Sequence, residues 1–294
     1  MANYCFREII CNLVLNMNVN NVSASPVSFY QNTVENDCIE KGILEVEGVV
    51  FKKNICAGLN IYLIDVTVDK NTVIQSLSGK VFWNNREKAN PCQDILADKA
   101  IELVNASCCG ITNGLEIIAI TSSLNIVIAE KKAQLVNTPA QVVDVTGGEL
   151  FISARLRKLT YEKLSAHADI DIINITVTDI ITSQHGDIVA EDCKLTKMEA
   201  CKQILLINTS CDLVVMKVPS TTITASIMLE KDSTIKDLII GRPEILPIAD
   251  EVTLSITGNG SIGNITFTCK GEVDLMNRNT VKITGEVKSF QEIV

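Results

Sequence analysis

The sequence predicts an all-β chain with minor helix, built as three tandem β-sandwich units of the Ig or jelly-roll kind, the third shortened. Three observations lead there. Lys99 to Cys108 (KAIELVNASC) returns at Lys202 to Cys211 (KQILLINTSC), with Lys, Ile, Leu, Asn, Ser and Cys in the same places. Neighbouring echoes keep the same order. Glu8 to Cys11 is answered by Glu116 to Ala119, and Leu15 to Val19 by Leu124 to Ile128. Asn60 to Val68 (NIYLIDVTV) is answered by Asp169 to Val177 (DIDIINITV), and Thr72 to Val81 by Ile180 to Ile188 around Gly79 and Gly186. A repeat at one domain length is what stacked units produce. The third observation is compositional: 47% of the chain is hydrophobic but only 4% aromatic, so the apolar mass is Val, Ile and Leu, which suit strands. The unit boundaries fall at 1–108, 109–211 and 212–294, each of about 100 residues and long enough for its own core.

In the first unit, Cys11 to Val19, Ile43 to Phe51, Leu59 to Val68 and Val73 to Trp83 alternate as half-buried strands do, with Asp69-Lys70-Asn71 as a turn. The polar stretch Ser23 to Glu40, with Pro26, reads as a connection. From Asn90 the period changes. Asn90 as N-cap, Pro91 at the first helical position, Gln93 for a capping box and Leu96, Ala100 and Leu103 on one face predict a helix to about Val104. Thr196 and Glu199, followed by Ala200, Ile204 and Leu205, predict its counterpart. A rival reading makes the end of each motif, Ile204 to Ile207 above all, a strand. The second unit offers Leu115 to Ile120, Leu124 to Ile128, Glu149 to Leu156, Ile170 to Val177 and Ile180 to Val189 as strands. The third offers Leu213 to Val218, Thr222 to Leu229, Val252 to Ile256, Ile265 to Cys269 and Val281 to Val287, with Gly258-Asn259-Gly260 as a turn.

Net charge of −9 and a longest run of bases at Lys131-Lys132 exclude a phosphate-binding footprint. No apolar run reaches the roughly 20 residues that cross a bilayer, and the amino-terminal stretch, interrupted by Glu8 and several Asn, does not read as a secretory signal. The eleven cysteines admit two readings: reduced, buried small hydrophobes, or disulfide crosslinks with at least one thiol left for another chain. Cys5 and Cys11 in the amino-terminal segment, and Cys108 and Cys109 at a unit junction, are the candidate intersubunit crosslinks.

Chemistry is sparse. His167 and His185, the only two histidines, sit in different local elements without a ligand at metal spacing, and no C-x-x-C occurs. Gly258 to Gly263 matches G-x-G-x-x-G but lies between strands with no helix after it. The sequence therefore predicts no catalytic, cofactor or metal residues. An uncovered apolar edge on the shortened third unit, facing the Cys-bearing amino-terminal segment of a neighbour, predicts head-to-tail association.

The Ile/Asn/Lys-rich composition, the Met-Ala-Asn start followed by Cys5, and the Cys108-Cys109 pair resemble subunits of bacterial endospore appendages and spore-surface fibres. The resemblance implies a self-polymerising β-sandwich subunit crosslinked through a Cys-bearing arm. It would be made in the mother-cell cytoplasm and end on the spore or cell surface, with itself or other fibre subunits as partners. The alternatives are a bacteriophage tail or fibre protein and a glycan-binding module, the last short of aromatics with Trp83 as the single Trp.

Overall fold

The computed structural model describes residues 27–28, 33–34, 44–47, 50–51, 54–218, 224–241, 252–269, 271–275 and 280–288. The chain is all-β, 69% strand and without helix among the described residues, in a parallel β-solenoid of about 11 turns. This overturns the three β-sandwich units. A sandwich packs two antiparallel sheets, whereas here each strand pairs in parallel with a strand one turn away. Ile101 to Val104, for example, lies between Val81 to Asn84 and Ile117 to Ile120. Alternation of period 2 is common to both architectures, so it identified strands without identifying their partners.

Both expected helices are strands. Asp94–Ala97 and Ala100–Val104 replace the first, and Lys194–Ala200 and Gln203–Ile207 the second. The alternating set Ile95, Ile101 and Leu103 is buried, while Leu96 and Ala100 of the supposed helical face point outward. A neighbouring turn on either side supplies ladder partners that local capping residues cannot outbid. The rival strand reading of Ile204 to Ile207 is the correct one.

The chain divides into two compact units, Met1–Asp144 and Val145–Val294. In the first, inward residues stack in register from turn to turn. One column runs Ile61, Val81, Ile101, Ile117, Ala133 and a second Leu63, Trp83, Leu103, Ala119, Leu135, all buried. Trp83, fully buried, donates from Nε1 to the Val66 carbonyl at 3.2 Å. The second unit stacks Leu150, Ile170, Ile188, Ile204, Ile227 and Ile256 in the same way. Each turn thus buries the apolar face of the last.

The corners explain the sequence echoes. Strands end in one left-handed residue: Asp65, Asn105, Thr121 and Asn137 in the first unit, Asn174, Asp192 and Asn208 in the second, with φ between 47° and 58°. Asn and Asp tolerate this conformation because their side chains bond locally. Asn105 Nδ2 donates to the Asn85 carbonyl at 2.7 Å, and Asn208 Nδ2 to Asp192 Oδ1 at 2.6 Å. At several corners the next residue turns inward and supplies a buried hydroxyl: Ser122 Oγ and Thr138 Oγ1 accept from the amides of Ala106 and Ser122 at 3.1 Å. Thr209 Oγ1 and Ser233 Oγ accept from those of Cys193 and Thr209 at the same distance. The Lys99 and Lys202 motifs are therefore equivalent pieces of a turn, strand then Asn corner, rather than the ends of 100-residue domains. Gly79 and Gly186 recur for a second reason: a Cβ on either would collide with the preceding turn, at Leu59-Asn60 and Ala168-Asp169.

Candidate functional site

One corner of the first unit collects three thiols. Cys92 precedes the strand Asp94–Ala97, and Cys108 and Cys109 precede Ile111–Ile120 one turn later. Cys92 and Cys108 form a parallel bridge, so their side chains share one inward column and both are buried, while Cys109, the next residue, alternates outward and is exposed. The Cys109 amide and its Sγ both donate to the Cys92 carbonyl, at 2.9 and 3.0 Å. Cys108 Sγ lies 3.2 Å from the Gln93 carbonyl. The Ile111 amide donates to Asp94 Oδ1 at 2.7 Å, and Gly110 is required because a Cβ there would meet Asp94 and Gln93.

The electrostatics of the pair are asymmetric. Donation of a hydrogen bond to Cys108, with burial behind it, pushes the Cys92 thiol up. Accepting that bond holds Cys108 below the usual thiol value, against the burial that opposes it and with help from the Thr112 hydroxyl. Other buried cysteines lack such a partner: burial alone is the main cause that lifts Cys193 to about 11 and Cys211 to about 12.

Of the expected crosslinking residues, Cys5 and Cys11 lie outside the described residues, Cys108 is buried, and Cys109 presents its thiol to solvent. Cys56 is disulfide-bonded. Cys92 was not among the candidates. The signal that could have found it is the turn length, since it precedes Cys108 by the same sixteen positions that separate Ala106 from Ser122.

A second corner, in the other unit, brings the two histidines together. His185 donates its amide to the His167 carbonyl at 2.8 Å, and the rings meet edge to face with centroids 4.6 Å apart. They occupy equivalent places in successive turns, not different elements. Beside them Asp169 Oδ1 accepts from the Asp187 amide at 2.8 Å and Asp187 Oδ1 from the Gln203 amide at 3.1 Å. Burial, Asp169 and Glu149 together raise Asp171. Among the described residues no group of three or more His, Cys, Asp or Glu is placed to hold a metal ion.

Comparison with protein-family models, with curated proteins and with solved structures finds no match to this chain. One surface feature escaped the sequence reading: Arg155, Arg157 and Lys158 surround Leu156, which is 78% exposed, and the alternation of bases with Leu hid the cluster from a search for unbroken runs.

Proposed function

We propose that this chain is a non-enzymatic structural subunit that assembles with copies of itself into a fibre or surface appendage. The observation that supports it best is the in-register parallel turn. Each turn offers the next a complete row of backbone donors and acceptors, so an edge turn accepts an equivalent turn from another copy without new geometry. Among the described residues the strand Gly271–Leu275 pairs with Val252–Phe267 alone. Head-to-tail addition is then strand pairing between turns, in place of the sandwich edge that the sequence suggested. Exposed Cys109 lies on a turn flanked by a neighbour on each side, so it would crosslink copies laterally, with Cys5 and Cys11 as further candidates. The resemblance to endospore appendage subunits supplies a setting, the spore surface, although those subunits are sandwiches.

Negative-stain electron microscopy of the purified chain, with and without reductant and beside a Cys109→Ser variant, tests this. Ordered filaments that loosen on reduction are expected. Monomers under every condition would refute assembly. A bacteriophage virion protein is the second reading, favoured by the free thiols of Cys92, Cys108, Cys109, Cys193, Cys201 and Cys211; filaments indifferent to reductant would favour it.

A further inference from the structure

We propose that the outward sheet face of the second unit is a two-fold pairing surface for a second copy of this chain, with the Leu156-Arg157-Lys158 corner of each copy seated against the acidic end of the partner's strands. The inference rests on the self-assembly reading above and adds to it a lateral contact beside the turn-to-turn one.

Five parallel strands build the face. In Glu149–Ser153, Ile170–Ile173, Ile188–Glu191, Gln203–Ile207 and the start of Thr224–Gly241, the residues that alternate with the buried column point outward. Phe151, Asp171, Val189, Leu205 and Met228 therefore lie in one row across the strands. Four of these five are apolar, none is buried, and Met228 is 40% exposed. A contiguous apolar row on an outer surface marks a place of association.

Charge selects what covers it. At the amino ends of the same strands stand Glu149, Asp169 and Asp187, and among the described residues no Lys or Arg forms an ion pair with them or with Asp171. Burial, with Asp169 and Glu149 beside it, raises Asp171, so a cation brought to this end relieves the repulsion. At the carboxyl end of Glu149–Ser153 the chain turns through Leu156, Arg157 and Lys158, all exposed. The face is thus acidic at one end, apolar across its middle and basic at one corner of the other end. A two-fold axis along the stacking direction sets two such faces together with their strands antiparallel. The apolar row then meets itself, and each basic corner meets the partner's Glu149 and Asp169. The stacking directions of the two copies stay parallel, as lateral pairing of two growing fibres requires. The five strands offer about 400 Å² per copy, below the roughly 800 Å² of a standard interface, so a single pair is weak and repetition along a fibre multiplies it.

The test mixes light and heavy isotope-labelled full chain at about 0.2 mM, where a contact of this area is populated. Carbodiimide crosslinking with peptide mass spectrometry, and sedimentation velocity, read the pairing. Peptides of mixed isotope joining Lys158 to Glu149 or Asp169 are expected, with a dimer that weakens in about 0.5 M salt. Met228→Glu, and separately Arg157→Glu with Lys158→Glu, should each raise the dimer dissociation constant by about tenfold or more while circular dichroism stays unchanged. Adding Glu149→Lys to the second variant should restore pairing in part, which a folding defect would not allow. Absence of mixed peptides, or a dimer indifferent to both variants, would overturn the proposal and leave the face to a different partner. Filaments of unchanged width in Met228→Glu would overturn the lateral contact and spare turn stacking. Dimers that Met228→Glu abolishes, from a chain that forms no filaments, would support the contact and refute the stacking.

Discussion

At Asn105 and Asn208 the backbone is left-handed, and each side chain bonds to the turn before it. Alanine there resists the conformation by about 1–2 kcal/mol and forfeits a hydrogen bond of about 1 kcal/mol. Asn208→Ala is therefore expected to lower stability in urea by about 2–3 kcal/mol, and Asn208→Gly by less, because glycine restores φ but not the bond. Thr209→Val should be worse than its near-identical size suggests, since the Cys193 amide would be left buried and unpaired, at about 1–3 kcal/mol. Titration separates two carboxylates. Glu199 is half-buried, but hydrogen bonds from Lys197 at 2.8 Å and from Lys217 outweigh that burial and hold it below its usual value. Its contribution is present above the unfolded carboxylate range and is lost as pH falls through its lowered folded value, so acid unfolding should come earlier than in Glu199→Gln relative to neutral stability. Asp171 is shifted the other way. Its contribution is present at low pH and lost as pH rises through the folded value, so Asp171→Asn is expected to raise the unfolding midpoint at pH 7 and leave it nearly unchanged at pH 3.

At the scale of the element, strands were legible and their partners were not. Ile170 to Val177 and Val73 to Trp83 were legible as strand-forming because alternation reports which face is buried, but each is two strands, parted at Asn174 and at residues 77–80. Pairing depends on a turn length that varies, from 15 residues between Ile111 and Ile126 to 29 between Thr224 and Thr253, and a drifting period leaves no fixed repeat to detect. The ten-residue echo was visible because Lys99 to Cys108 and Lys202 to Cys211 use the same corner residues. The thiol corner was half legible: Cys108-Cys109 stood out as a pair, whereas Cys92 is adjacent only through the turn. Corners also carry the clearest elemental test. Gly186→Ala would force a Cβ into the Ala168-Asp169 backbone and, with no flexible side chain to yield, should destabilise by about 2 kcal/mol or more. Urea denaturation of that variant beside an exposed control such as Thr178→Ala measures it.

For the whole molecule, turns that contact only their neighbours imply stability that accumulates locally. Trp83, the single Trp and fully buried in the first unit, reports on that unit alone. Its fluorescence should start blue-shifted and is expected to change at a denaturant concentration that Gly186→Ala, in the second unit, leaves nearly untouched while circular dichroism shifts. In the assembly proposed above, copies would add turn to turn along the direction in which turns stack. Diffraction from aligned filaments tests it most directly. A strong reflection near 4.8 Å along the filament axis is predicted, since strand spacing and growth direction then coincide; a 4.8 Å reflection perpendicular to that axis would contradict it.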